Sequence, residues 1–413
     1  MARWLPAVSR GMTSDRTDWT GVAFGIALAC LVAFQQFKLP PVLPSMLATY
    51  GWDRTLAGGF MSVYAVAGLA LSIAVGRRLQ RKGPMGALLA AFALLLLGNL
   101  LTLLDPASGA LVLLARGLEG IAFAIGAIAG PAIAYRSANP RHMGFVVGLA
   151  AGWIPVGQLL ASGFSWLLSA WQGLWLVAMA MTVLMGAWSL ALRHHESFAH
   201  PAGSTAGARS RPTARQRWQL LMVAGIFLLW SMQYFGFMTW LPQYLVEIVH
   251  LGAGQAALGY ALPVAVLLGF NVLTGILLGA GLPLGPLLAL ALTSQAAVWW
   301  LIPGIHGQIG GISLLIVYGI GAGITPTCLF ALPAVLLGRA GAPTAYAFVM
   351  TGRNIGVLLG PVLLAEVTKQ AGGWTLVWPL FGSTTALTVL AALALAATLG
   401  RAHRPSFGAP RSP

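Results

Sequence analysis

Charged residues are scarce in this 413-residue chain, and acidic residues are the scarcest of them. Asp, Glu, Lys and Arg make up only 8% of the sequence, whereas 58% of the residues are hydrophobic. A soluble domain carries about 25% charged residues, so this composition excludes a soluble enzyme. At about 20 apolar residues per span, the hydrophobic blocks predict an all-α polytopic membrane protein with roughly twelve transmembrane helices.

Cysteine and metal-binding patterns are equally sparse. The two cysteines, Cys30 and Cys328, lie in separate predicted spans, which excludes a disulfide framework and favours small core side chains. No histidine and no pair of carboxylates falls at mid-span, so neither a metal set nor a nucleophile with its base is available at membrane depth. We therefore predict no metal site, no cofactor and no enzymatic activity.

The hydrophobic blocks fall into two groups of six. We predict spans near residues 20–48, 55–76, 84–104, 109–135, 143–169, 172–192, 218–247, 255–280, 284–303, 309–338, 343–369 and 374–400. The polar stretch 193–217 has no apolar period and predicts a cytoplasmic linker. It separates an N-terminal six-helix bundle (1–192) from a C-terminal six-helix bundle with a short cytoplasmic tail (218–413).

Basic residues are distributed unevenly along the chain, which has a net charge of +15. They concentrate in the N-terminal segment, some of the loops, the linker and the tail, whereas the opposite side has only Arg54 and Lys369. This asymmetry follows the positive-inside rule and predicts that both termini lie in the cytoplasm. Because the charge reflects topology, we predict membrane lipid, and no nucleic acid, as a partner.

The two halves resemble each other at an offset of about 200 residues. Gln35 and Phe37 correspond to Gln233 and Phe235, and a Leu-Pro pair follows in both halves. With an even number of spans per half the repeats run parallel, and a solute site is expected at their interface near mid-depth.

The first span contains an unusual polar stretch, Phe34–Leu47 (FQQFKLPPVLPSML). Lys38 falls about halfway across, where a charge costs on the order of 3 kcal/mol and usually serves a function. Pro40 and Pro41 cannot donate backbone hydrogen bonds, so carbonyls near Gln36 and Phe37 are left free. The stretch predicts the wall of a solute pathway.

Two motifs resemble the major facilitator superfamily, as does the six-plus-six layout of the whole chain. The segment 76–83 (GRRLQRKG) is similar to that family's cytoplasmic gate loop, Gly-x-x-x-Asp-Arg-x-Gly, except that Gln80 replaces Asp. The residues from Arg116 to Gly120 (RGLEG) are similar to the family's Arg-x-x-(Gln/Glu)-Gly motif. The resemblance implies a cytoplasmic gate formed by Gly76, Arg77, Arg81 and Gly83.

The FKLPPVLPSM stretch and the short loops are most similar to the cyanate and nitrate/nitrite permease-like branches of that superfamily. The resemblance implies a secondary transporter of the inner (cytoplasmic) membrane that works by alternating access. Gly148, Gly152, Pro155 and Gly157 in the fifth span lack the Gly-Pro order of the family's drug antiporters, which disfavours drug efflux.

Four charged residues fall well within the spans, and their charges sum to +2. Such an excess in a low dielectric favours an anionic solute. Lys38 is the first candidate for solute binding, because it lies too far from either membrane surface for its ammonium to reach water by snorkelling. The predicted substrate-binding residues are Lys38, Gln35, Gln233, Arg353, Tyr234 and Tyr318.

Arg116 and Glu119 are spaced i,i+3 and are predicted to pair on one helix face. Either they form a neutral structural pair, or Glu119 takes up a proton during transport while Arg116 changes partners. Arg353 either binds an anion opposite Lys38 or holds the cytoplasmic side closed through carbonyl contacts. Asn354 is predicted to point elsewhere on its helix.

The sequence therefore predicts a secondary active transporter that moves a small, anionic solute by alternating access. Proton-coupled efflux of amphipathic drugs or metabolites is the alternative. The chain carries no feature that demands more than a monomer.

Overall fold

The computed structural model describes residues 16–139, 141–168, 170–195, 212–304, 308–370 and 373–399. Within these ranges the chain is helical and contains no strand. The helices are α1 (Trp19–Phe37), α2 (Leu39–Tyr50), α3 (Arg54–Lys82), α4 (Met85–Leu104), α5 (Gly109–Ser137), α6 (Met143–Ala151), α7 (Trp153–Leu167), α8 (Trp171–Ala191), α9 (Ala214–Glu247), α10 (Ala253–Gly279), α11 (Leu284–Leu301), α12 (Gln308–Lys369) and α13 (Val377–Leu399). Two 3-10 helices, Ile302–Gly304 and Gly373–Leu376, precede α12 and α13.

Eleven described helical segments are long and apolar enough to cross a membrane, and a bent pair raises the total to twelve. The predicted all-α membrane fold is therefore confirmed. A straight helix as long as the 62-residue α12 would measure about 93 Å, some three times the hydrocarbon thickness. That element accordingly contains two candidate spans, Ile309–Leu337 and Ala345–Lys369.

Two spans are interrupted near their middles. The first span, Trp19–Tyr50, breaks at Lys38 between α1 and α2, because Pro40 and Pro41 supply no backbone donor. The fifth span bends by 44° between α6 and α7, at Gly152. Pro155, in the first turn of α7, has no N–H to continue the ladder from α6.

The segment 76–83 is largely helical and not a loop, which corrects the prediction. Helix α3 continues to Lys82, and the connection to α4 consists of Gly83 and Pro84 alone. Gly83 has a φ of 70°, a left-handed value at which glycine ends a helix without strain. The side chains of Arg77 and Arg81 lie outside the described part of the structure, and the gating role of Gly76, Arg77, Arg81 and Gly83 stays a prediction.

Each half packs mainly within itself: α1 lies against α5 and α7, and α9 lies against α12. The halves meet where α3 packs on α12, α7 on α10 and α2 on α9. At the first of these contacts a side-chain Cβ on Gly58 would lie 2.6 Å from the Pro361 carbonyl oxygen. The halves are thus closely packed in this conformation.

Candidate functional site

Lys38 lies in a fully buried polar cluster inside the first half. Its Nζ donates to Gln35 Oε1 and Asn99 Oδ1, both at 2.6 Å, and to Glu119 Oε1 at 2.9 Å. The ammonium also lies 4.7 Å from the centre of the Trp175 ring. A lysine ammonium has three donors, so all of them are used within the first half.

Glu119 is held by two cations. It pairs with Arg116 Nη1 at 2.8 Å, as the i,i+3 spacing predicts, and with Lys38. The Tyr64 hydroxyl donates to its second oxygen at 2.6 Å. None of the three charged side chains is accessible to solvent. With two cations and one acid, the cluster carries an excess charge of +1.

Arg116 caps the broken first span. Its Nη1 and Nη2 donate to the carbonyl oxygens of Gln35 (2.9 Å) and Gln36 (2.7 Å), which lie just before the break. Because Pro40 cannot donate to Gln36, the carbonyl that the sequence predicted to be free has found a buried partner. Nε donates to the Phe60 carbonyl at 3.2 Å, so the guanidinium is bonded on every side.

The predicted repeat mates Gln35 and Gln233 lie in different surroundings. Gln35 Nε2 donates to the Ala178 carbonyl (3.1 Å) and to Thr182 Oγ1 (2.9 Å), both on α8 of the first half. Gln233 accepts a long hydrogen bond of 3.4 Å from the Tyr318 hydroxyl, and its Nε2 has no partner among the described residues. No hydrogen bond among the described residues joins the two glutamines, and their binding roles stay predictions.

A neutral hydrogen-bonded bridge joins the halves. The Tyr234 hydroxyl of α9 donates to Gln158 Oε1 of α7 at 3.3 Å, and Gln158 Nε2 donates to the Tyr260 hydroxyl of α10 at 3.0 Å. All three side chains are buried. We did not predict Gln158 or Tyr260 from the sequence; a glutamine within an apolar span was the available signal.

Arg353 is the buried cation of the second half. Its guanidinium carbon lies 5.1 Å from the centre of the Phe235 ring, and 9% of the residue is exposed. Its Nη1 donates to Asn354 Oδ1 at 3.1 Å, so the prediction that Asn354 points away is wrong. The long arginine side chain reaches the amide of its neighbour. Among the described residues no carboxylate forms an ion pair with Arg353.

Phe235 also contacts the first half. Its ring stacks on Phe37 with centroids 6.1 Å apart, and Tyr234 meets it edge-on at 5.2 Å. Tyr234 in turn stacks on Trp230 at 5.0 Å and lies nearly parallel to Tyr318 at 6.4 Å. Arg353, Tyr234 and Phe37 therefore surround one ring at the boundary between the halves.

A second set of contacts closes the membrane face on which the 51–53 loop lies, here called the Asp53 face. Arg54 of the first half forms an ion pair with Glu247 of the second half. Lys369 Nζ pairs with Asp53 at 2.7 Å, and Thr55 Oγ1 donates to Glu366 at 2.8 Å. These side chains are partly exposed, as expected for interfacial positions.

Comparison with known proteins gives two matches. The sequence matches the family model described as Major Facilitator Superfamily over residues 25–361. The structure is similar to a crystal structure of a variant of the nucleoside transporter NupG, with a TM-score of 0.70, covering 91% of this chain and 99% of that one. Since the two sequences are 14% identical, this similarity concerns the fold. No curated protein matches the sequence.

Proposed function

Since the chain belongs to the Major Facilitator Superfamily, we propose that it moves a small anionic solute across the cytoplasmic membrane by alternating access. The moving parts are the two six-helix bundles, 1–192 and 218–413, joined by the cytoplasmic linker 193–217. Both termini lie in the cytoplasm, and the protein works as a monomer in lipid.

Arg353 is the observation that carries the proposal of an anion. It is a buried guanidinium beside the boundary between the halves, and no described acid compensates its charge. A buried charge without a partner costs several kcal/mol, a cost that a bound anion would offset. The fork of donors on a guanidinium suits carboxylates and other oxyanions.

The cluster of Lys38, Arg116 and Glu119 supports the same choice of solute. Its excess charge of +1 adds to the positive potential felt at the boundary. In the described conformation Lys38 has no donor left for a solute. Its binding role, and that of Gln35, therefore requires one of its partners to be displaced.

Proton uptake by Glu119 provides such a displacement. A protonated Glu119 would release its hold on the Lys38 ammonium, 2.9 Å away, and would raise the charge of the cluster. An entering anion would then compensate that charge, which couples proton and anion movement in the same direction. The alternative is that Glu119 stays charged and serves only as the structural partner of Arg116.

Two regions of the chain would gate the pathway. The pairs Arg54–Glu247 and Asp53–Lys369 close the Asp53 face, which we assign to the outside. We assign the inner gate to the segment containing Gly76, Arg77, Arg81 and Gly83. The resemblance to cyanate and nitrate/nitrite permeases stays a prediction.

The test is thermal unfolding of the purified protein with a panel of small anions and lipophilic cations. A ligand that binds only the folded state adds about 2.7 kcal/mol at 100 times its Kd. We expect anions to raise the unfolding temperature of the wild type and of the exposed control Arg217→Gln, but not of Arg353→Gln. Lys38→Ala, analysed in parallel, reports whether Lys38 contributes.

Stabilisation by bulky cations alone, equally in all variants, would sink the anion proposal and favour efflux of amphipathic compounds. The aromatic residues around Phe235 are the observation that favours this second candidate. Proton coupling would be supported if a pH gradient drives uptake of the bound anion into vesicles that contain the wild type, but not into vesicles that contain Glu119→Gln.

A further inference from the structure

The chemistry at the boundary between the halves restricts the solute more narrowly than charge alone. Phe37 on α1 and Phe235 on α9 belong to different halves and face each other with an interplanar angle of 28° and centroids 6.1 Å apart. Relative movement of the two halves would separate these two aromatic faces. Two faces that open in this way accept a flat apolar group better than they accept a small hydrated ion.

One positive charge lies beside these faces. Arg353 contacts the Phe235 ring from its position on α12 and uses one of its five donors on Asn354. Within the described ranges its side chain takes part in no ion pair. Arg353 and Phe37 both lie against the Phe235 ring, and a guanidinium can bind a carboxylate through two oxygens.

Away from the Asp53 face, the other described polar groups at the boundary are neutral. Gln158 bonds Tyr234 and Tyr260 across the halves, and Gln233 Nε2 is a buried donor without a described partner. These groups can hydrogen-bond a neutral substituent, but they cannot compensate a second charge. Since a buried charge needs a partner, a dicarboxylate is disfavoured.

A solute with an ammonium group is disfavoured for the same reason. Glu119 is the acid near mid-depth, and in the structure it lies inside the first half, bonded to Lys38 and Arg116. The other acids that pair with basic side chains across the halves lie at the Asp53 face. No described carboxylate is therefore left at the boundary for a cationic group.

We infer that the transported solute is a planar aromatic or conjugated monocarboxylate, with its ring between Phe37 and Phe235 and its carboxylate on Arg353. This inference rests on the proposed function, because it specifies the anion. It differs from a site for small inorganic anions in requiring the two aromatic faces.

The experiment measures binding to the full-length protein in detergent, by thermal unfolding and by calorimetry. The probes are benzoate, cyclohexanecarboxylate, nitrate, cyanate and neutral benzamide. Cyclohexanecarboxylate matches benzoate in charge and ring size but is not flat. The variants are Arg353→Gln, Phe235→Leu and Phe37→Leu, with Phe227→Leu as the matched control, since Phe227 is a buried phenylalanine of the same helix α9.

We expect the wild type to bind benzoate at least tenfold more tightly than cyclohexanecarboxylate, and to bind benzamide weakly. Arg353→Gln should weaken benzoate binding tenfold or more. Either leucine variant at the stacked pair should reduce the preference for benzoate over cyclohexanecarboxylate, whereas Phe227→Leu should leave the preference unchanged. Two separate phenylalanine variants guard against one of them failing to fold.

Other outcomes separate this inference from the proposed function. If nitrate or cyanate stabilises the protein through Arg353 while benzoate does not, the planar solute is wrong and the anion transporter stands. Equal affinity for benzoate and cyclohexanecarboxylate overturns the role of the aromatic pair. If benzamide or lipophilic cations bind and no anion does, both proposals fail. No response to benzoate at millimolar concentrations also overturns the inference.

Discussion

The two buried arginines of this protein have opposite surroundings. Arg116, in the first half, donates to three carbonyl oxygens and to Glu119, and it also contacts Met61. Arg353, in the second half, donates to one amide oxygen and lies on an aromatic ring. The arginine side chain is thus hydrogen-bonded on every side and paired with an acid in one half, whereas in the other half it has one described hydrogen bond and no described acidic partner.

This difference shows how to distinguish a buried charge that maintains the fold from one that is available to bind a ligand. A charge with all of its partners in place maintains the fold, because removing one partner leaves the others unsatisfied. A charge without such partners does not stabilise the fold and is available for a ligand. The predictions below test this contrast, from the largest expected effect to the smallest.

Removing the acid of the first-half cluster should have the largest effect. Glu119→Gln leaves Lys38 and Arg116 buried without a counter-charge, so we expect a loss of about 3–5 kcal/mol of unfolding free energy. Denaturant unfolding in detergent measures this loss of unfolding free energy. Glu366→Gln, at a half-exposed acid, should cost less than about 1 kcal/mol. A loss that small for Glu119→Gln would contradict the structural role of the cluster.

Removing one cation from the same cluster should cost less. Lys38→Met leaves the neutral pair Arg116–Glu119 but deprives the Gln35 and Asn99 oxygens of a donor, for a loss of about 1–3 kcal/mol. Glu119→Gln should cost less unfolding free energy in the Lys38→Met background than in the wild type. The difference between the two losses is the coupling energy, which should be about 0.5–3 kcal/mol. Strictly additive losses would mean that the two residues act independently.

Removing the second-half cation should scarcely affect stability. Arg353→Met removes a buried guanidinium that has no acidic partner among the described residues, so we expect a change within about 1 kcal/mol of the wild type, or a gain. Ligand binding, measured in the same samples, should be lost. If the variant instead loses several kcal/mol, Arg353 belongs with Arg116 as a structural residue.

The smallest effect is expected at the Asp53 face. The hydrogen bond from Lys369 holds the pKa of Asp53 below its ordinary value. A depressed carboxyl pKa contributes stability above the unfolded-state value, and this contribution is lost as the pH falls through the folded-state value. The unfolding temperatures of wild type and Asp53→Asn should therefore differ by a constant amount from about pH 8 to pH 5 and converge below about pH 4. If the two unfolding temperatures already converge above pH 5, the stabilisation does not come from the ion pair between Asp53 and Lys369.

Local sequence patterns predicted much of the fold correctly. Apolar run lengths gave the number of spans, and the family and its all-helical membrane fold are confirmed. The Pro40–Pro41 pair predicted that backbone hydrogen bonds are lost in the first span, and the i,i+3 spacing predicted that Arg116 meets Glu119. The second span was predicted to end near residue 76, but α3 continues to Lys82. Segment 76–82 contains no proline, so the helix ends only at Gly83.

The sequence by itself determined which segments are long and apolar enough to cross a membrane, where the first span loses backbone hydrogen bonds and which charges are buried. These features depend on hydrophobicity and on neighbours within a few turns. Only the tertiary structure decided that Lys38 faces Glu119, that Gln158 bridges Tyr234 and Tyr260, and that no described acid pairs with Arg353. These relations depend on how each helix is rotated about its axis and which helix it packs against. Helical periodicity identifies a face but not the neighbour that covers it.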